Sequence, residues 1–141
     1  MRNILITFSF LLLFSCGQKA GKETGNTDFT SEKTSIKFNE KMHDFGQLKA
    51  GEIVLYTFEF TNTGNADYRI ENIRTDCGCV STNFSELPVK PGETGVIEVE
   101  FDTSGLVGKE YKSIEIDGNS TELKHLAIFA EVKNEILDIK Y

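Results

Sequence analysis

Two cysteines separated by one residue, Cys77-Gly78-Cys79, are the side chains of this sequence best suited to covalent chemistry. On an extended strand, residues two apart point to the same side, and Gly78 lets the backbone bend between them. Three readings fit the pair. The first is a local disulfide or reversible redox couple, which an exported protein permits. Two extended Cα atoms lie near the upper limit of ~6.8 Å for a bridge, so such a bond is expected to be labile. The second is a soft-metal site for Cu(I) or Zn²⁺. A closed zinc site takes four N or S ligands, and beyond the pair the domain offers only His43, His125, Met42 and carboxylates. That shortage argues against a closed site and leaves two-coordinate Cu(I). The expectation is therefore no metal and no cofactor, with Cys77, Cys79 and His43 the ligands if there were one. The third reading is structural, two small thiols packed at a strand turn. A thioredoxin-type centre is not expected, because that chemistry uses two intervening residues at a helix N-terminus.

The other candidates read as structure. His43-Asp44-Phe45-Gly46 contains the letters of a kinase metal-binding motif. The glycine-rich loop, strand lysine and catalytic loop that chemistry requires are missing. The tetrapeptide is expected to be a strand corner, with Phe45 in the core, Asp44 capping locally and Gly46 in a turn. His125 falls out of phase with its apolar neighbours and is expected to face solvent. Glu98 and Glu100 share one strand face and read as a solvated surface, not an acid/base couple. Asn83-Phe84-Ser85 and Asn119-Ser120-Thr121 match the glycan acceptor pattern and are read as chance matches. No nucleophile sits in a G-x-S-x-G elbow, so no catalytic residue is assigned and the chain is expected not to be an enzyme.

The N-terminus points to a compartment. It reads MRNILITFSFLLLFSC, with Arg2 ahead of an apolar run from Ile4 to Phe14. That run is too short for a membrane span of ~20 residues and has the form of a signal segment. Leu13-Phe14-Ser15-Cys16 resembles a lipobox, in which a cysteine follows a small residue, is acylated on sulfur and becomes the new N-terminus. Residues 1–15 are therefore expected to be a signal peptide and Cys16 a lipidated residue, since several acyl chains on one cysteine anchor stably. Residue 17 is Gly, which by the sorting rule of enteric bacteria favours the outer membrane. Residues 16–35, from Cys16 through the polar tract GQKAGKETGNTDFTSEKTS, carry no apolar period and read as a flexible tether.

The segments that must position the cysteines read as strands. Val54, Tyr56, Phe58 and Phe60 alternate with Leu55, Thr57, Glu59 and Thr61, the pattern of a half-buried strand. Tyr68, Ile70 and Asn72 alternate with Arg69, Glu71 and Ile73 more weakly. Ile97, Val99 and Phe101 alternate with acids, Ile114 and Ile116 follow, and Leu126, Ile128, Ala130 and Val132 form the last inward set. Asn62-Thr63-Gly64-Asn65, Pro88, Pro91-Gly92 and Ser104-Gly105 punctuate them, and Asp117-Gly118-Asn119 reads as a tight turn. Strands with turn signals every ~8–12 residues predict an all-β sandwich or barrel. Residues 36–133 form the expected domain, and residues 134–141 an extension of the last strand or a fraying tail. The 141 residues carry a formal charge of −7 with no Lys/Arg run, which argues against nucleic acid as a partner.

A set of short motifs occurs in order along this domain. His43-Asp44-Phe45-Gly46, Gly51-Glu52, Phe58-Glu59-Phe60-Thr61-Asn62-Thr63-Gly64, Cys77-Gly78-Cys79-Val80, Pro91-Gly92-Glu93 and Phe101-Asp102-Thr103 together resemble the DUF1573 family. Val80 stands where that family most often has Thr. The resemblance implies an immunoglobulin-like antiparallel β-sandwich of about seven strands, related to the ASPM-SPD-2-Hydin class, on an export-bound chain that is often a lipoprotein. It implies no activity, and fold alone licenses none.

The expected function is therefore a non-catalytic binding or scaffolding module. It would be anchored to a membrane of the cell envelope through Cys16, with an envelope protein or a glycan as ligand. Redox or copper handling at Cys77-Gly78-Cys79 is the alternative.

Overall fold

A computed structural model describes residues 32–134. The expected signal peptide, Cys16, most of the tether and the tail beyond residue 134 lie outside the described residues. Within them the chain forms eight strands and no helix: β1 (Ile36–Phe38), β2 (Met42–Lys49), β3 (Ile53–Asn62), β4 (Ile70–Thr75), β5 (Val80–Phe84), β6 (Thr94–Asp102), β7 (Gly108–Gly118) and β8 (Lys124–Lys133). They make two four-stranded sheets, ordered β1-β3-β6-β5 and β2-β8-β7-β4. Four strands facing a three-stranded set is the immunoglobulin-type arrangement, and β2 is the added eighth strand. The expected sandwich is thus present with one strand more than anticipated. It is also not wholly antiparallel. β2 runs parallel to β8, after the chain leaves β1 at one edge of its sheet and crosses at once to the adjoining edge of the other.

The alternating residues fill the core as their period requires. Phe58, Phe60, Ile97, Val99, Phe101, Ile114, Ile116, Ile128 and Ala130 are at most 1% exposed. Each large side chain so buried contributes ~1.5–3 kcal/mol. Gly95 makes room for one of them, since a Cβ there would fall inside the ring of Phe60. The last inward set and the pairing Val54–Phe101 through Phe60–Gly95 fall in the expected phase.

Two expectations are corrected. In β4 the phase changes after Ile70. Ile70 lies opposite Gly118 but Asn72 opposite Asp117, so Glu71 is the extra residue of a bulge. Ile70 and Ile73 consequently both face the core, and Asn72 is exposed. Asp117-Gly118-Asn119 is not a tight hairpin turn, because β8 begins only at Lys124. Asn119 is instead 5% exposed. Its Oδ1 accepts from the Arg69 N–H at 2.8 Å, and its Nδ2 donates to the carbonyls of Glu32 and Asp67. Packing also continues just upstream of Ile36. Thr34 is 3% exposed, forms a bridge with Ser120, and donates from Oγ1 to Asn62 Oδ1 at 3.0 Å.

Candidate functional site

The chain changes sheets within three or four residues at the β1–β2, β2–β3 and β4–β5 links, and the first and last of these are corners on opposite sides of the sandwich. The His43-Asp44-Phe45-Gly46 and Cys77-Gly78-Cys79 candidates fall one at each of these two corners. One corner joins β1 to β2 through Asn39–Lys41, and the other joins β4 to β5 through Asp76–Cys79.

At the β1–β2 corner, His43 and Phe45 project from β2 toward Tyr56 of β3. The His43 ring stacks on Tyr56 with centroids 3.5 Å apart and planes 11° from parallel. Phe45 meets His43 edge-on at 4.6 Å. The Tyr56 hydroxyl donates to Glu40 Oε1, and His43 Nδ1 lies 3.8 Å from the same oxygen. That hydrogen bond to Glu40, followed by burial and the charges of Glu40 and Glu59, raises the Tyr56 pKa above its ordinary value. Asp44 Oδ1 accepts the Gly46 N–H at 2.8 Å, and Gly46 takes a φ of 71°, where glycine is favoured. This is the local cap anticipated from the tetrapeptide, set at the register shift of β2.

β1 ends after three residues and leaves most of β3 uncovered. It pairs only with Phe60–Asn62, and the Asn39 N–H extends the ladder by one bond to the Glu59 carbonyl, 3.0 Å away. Among the described residues no strand pairs with this edge of β3 from Ile53 to Phe58. Because Glu59 points its carbonyl to that edge, Thr57, Leu55 and Ile53 present their N–H and C=O groups the same way. Ile53 and Leu55 are 61% and 69% exposed. An open depression of about 290 Å³, lined by Asn39, Glu40, Tyr56, Thr57 and Glu59, lies where β1 stops.

The β4–β5 corner is closed. A disulfide joins Cys77 to Cys79, with Cα atoms 5.2 Å apart. The cysteines do not lie on a continuous strand, the geometry on which the expected lability rested, but at a strand turn, the geometry of the third reading. The backbone turns between β4 and β5, which shortens the Cα separation to within the usual range of ~4.4–6.8 Å. Both residues are half-buried at the rim of the core, and Gly78 between them is exposed. Backbone bonds hold the turn independently of the bridge. The Val80 N–H donates to the Cys77 carbonyl at 3.4 Å and the Asp102 N–H to the Cys79 carbonyl at 2.9 Å. Thr75 Oγ1 lies within 3.1 Å of the Cys77 carbonyl and 3.3 Å of that of Val80. Asp76 accepts the Ser113 N–H at 3.0 Å where β4 leaves β7.

This placement bears on the metal reading. A bridged sulfur is not a thiolate, the form that binds metal. The sheet order puts two strands between β2, which carries His43, and β4, so His43 is not brought to the cysteines. No group of three or more His, Cys, Asp or Glu among the described residues is placed to hold a metal. The remaining candidates lie apart. His125 is exposed on β8. Glu98 and Glu100 face outward, where Glu98 accepts from Asn83 at 3.0 Å and Glu100 from Ser81 at 3.5 Å. Tyr68 is fully buried, its hydroxyl has no partner among the described residues, and burial followed by the charges of Glu71 and Asp117 pushes its pKa up to about 12.

Sequence reasoning missed the open edge of β3 and the buried anchors Asn62 and Thr103. Asn62 is 0% exposed and donates to the carbonyls of Ala66 and Val89. Thr103 Oγ1 lies 2.8 Å from the carbonyls of both Lys49 and Glu52, tying two loops together. Asn in Asn62-Thr63-Gly64 signalled a turn, but nothing in that pattern signals burial.

A family model described as a protein of unknown function, DUF1573, matches residues 36–132. No curated protein matches the chain. Among solved structures, it is similar to a protein of unknown function from Porphyromonas gingivalis W83, with a TM-score of 0.62 and 20% identity. That match covers 71% of this chain and 47% of the other. It is also similar to the ASH/PapD-like domain 7 of human CEP192, with a TM-score of 0.60, 9% identity, and 72% and 87% of the two chains covered. The VesB protease of Vibrio cholerae matches at a TM-score of 0.59 and 13% identity, over 69% of this chain and 32% of that one. At these identities the likeness is one of fold.

Proposed function

The chain belongs to the DUF1573 family, and from that premise we propose that it is a non-catalytic binding module of the cell envelope. In this reading it is anchored through a lipid on Cys16, on the outer membrane, and holds a partner protein by strand addition to the edge of β3. The observation that carries the reading is that edge. A segment laid beside Ile53–Thr57 would find N–H and C=O groups from three alternate residues, the main-chain source of affinity in strand addition. Ile53 and Leu55 would cover its apolar side chains, and Glu40 and Glu59 beside the depression favour lysine or arginine in it. The preferred partner is thus an extended segment that alternates apolar and basic residues. The fold neighbours support a binding or scaffolding role for a domain of this shape, and the lipobox-like Leu13-Phe14-Ser15-Cys16 supports the anchor.

The test uses the full-length protein in cells with a photo-crosslinking residue at position 55. One reproducible crosslinked partner is expected, lost when Thr57→Pro is added. Proline there deletes an outward N–H and spares the β6 ladder, a position at which a sheet edge tolerates it. A crosslink that survives Thr57→Pro, or no reproducible crosslink, would overturn strand addition. Membrane association that persists in Cys16→Ser would overturn the anchor.

A further inference from the structure

We propose that the Cys77–Cys79 disulfide is a thiol–disulfide exchange site whose substrates are dithiols of other exported proteins. The proposal rests on the β4–β5 corner and does not depend on strand addition at β3.

Covalent topology comes first. The bridge spans a separation of 2 residues, so it closes a loop too small to restrict the unfolded chain much. It joins no two strands of a sheet and no two sheets. The turn it closes is already held by the Val80, Asp102 and Thr75 hydrogen bonds to the Cys77, Cys79 and Val80 carbonyls. The β1–β2 corner shows that this sandwich can change sheets with no covalent aid. A structural role therefore leaves the bridge largely unexplained.

Access comes second. Both cysteines sit at the rim, only half-buried, and flank the exposed Gly78, which has no neighbour within 4 Å of where a Cβ would stand. β4 stops at Thr75 opposite Ile114, and Asp76 caps Ser113. From Gly108 to Lys112 the outer edge of β7 has no strand partner among the described residues. An extended substrate thus has backbone to pair with close to where the chain turns into the bridge.

The exchange balances. A substrate thiolate attacks one bridge sulfur, which forms a mixed disulfide and breaks the Cys77–Cys79 bond. The electron pair of that bond leaves on the other cysteine, which becomes a thiolate and takes up a proton. The second substrate thiol, losing its proton, then attacks the substrate sulfur of the mixed disulfide and releases the first cysteine. The substrate gains a disulfide, and this chain gains two thiols, two electrons and two protons.

The test uses the full-length protein in detergent, exposed to graded ratios of reduced to oxidised dithiothreitol and then alkylated. Intact mass should show two added alkyl groups at high dithiol, reversed on re-oxidation, with the far-ultraviolet circular dichroism of the β-sandwich unchanged. A bridge that stays closed until denaturant is added would overturn the proposal, as would loss of the sandwich on reduction. A reduced dicysteine peptide should then be oxidised one for one by the wild type and not by Cys77→Ala/Cys79→Ala. In cells, the remaining thiolate of Cys77→Ala or Cys79→Ala should attack the disulfide of an oxidised substrate, the reverse of the last step, and be trapped as a mixed disulfide with an exported protein that reductant releases. A bridge that opens but neither oxidises the peptide nor yields a trapped partner would also overturn it.

Discussion

Two corners of this sandwich, β1–β2 and β4–β5, do one topological job by opposite means. At β1–β2 the backbone lets go early, and side chains fill the gap: His43 on Tyr56, Phe45 against both, Tyr56 on Glu40. At β4–β5 the backbone is bonded on both flanks and then sealed by a disulfide. The first corner leaves an open strand edge beside aromatic packing. The second leaves an oxidised sulfur pair beside a closed turn. The difference teaches that a sheet crossing in this fold does not require a cross-link, since side chains alone pack the β1–β2 corner. The stability of each corner and the chemistry of each corner therefore separate.

The largest expected effect comes from emptying the first corner. Tyr56→Ala removes the stack on His43, the edge contact with Phe58 at 4.9 Å and the bond to Glu40. For a half-buried aromatic the loss should be about 2–4 kcal/mol, measured by urea denaturation. A loss below about 1 kcal/mol, less than one aromatic pair and its burial contribute, would show that something else fills the corner.

Opening the second corner should cost less. The chain-entropy relation for a three-residue loop gives roughly 1.5 kcal/mol, so Cys77→Ala/Cys79→Ala should lower stability by about that amount in the same titration. Were the bridge to cost more than Tyr56→Ala, the ranking would invert and the disulfide would be a staple after all.

How much of this was legible in the sequence follows from what alternation encodes. A period of two reports which residues face inward, so the inward phase of Val54 through Phe60, Ile97 through Phe101 and Leu126 through Val132 is readable from the residue order alone. It does not report which strand lies beside which. The parallel β2–β8 pair, the early end of β1 and hence the open edge of β3 are facts of pairing, and they left no mark on the pattern. The bulge at Glu71 escaped for a related reason, because one unpaired residue reverses the phase without changing composition. The cysteine pair was visible as chemistry, but the sequence left open whether its backbone runs extended or turns. That Asp76–Cys79 turns depends on the Thr75 and Asp102 contacts, the latter made with a strand distant in sequence. His43 could be seen as a ligand candidate. Only the three-dimensional neighbourhood of Tyr56 and Phe45 makes it a packing residue.

The smallest expected effect separates the corners by pH. Tyr56 holds its proton more tightly in the folded protein because of Glu40. Its contribution is therefore fully present below the unfolded value near 10 and is lost as pH rises through the raised folded pKa. The stability difference between wild type and Tyr56→Phe should favour wild type at about pH 8 and shrink toward zero at alkaline pH. Tyr68, which also titrates late, is present in both proteins and cancels. The difference between wild type and Cys77→Ala/Cys79→Ala should stay flat over the same window, since a disulfide carries no titrating proton. Parallel pH profiles for the two differences would mean that the corners are coupled. A sloping profile for the first and a level one for the second would establish that each corner is held by its own chemistry.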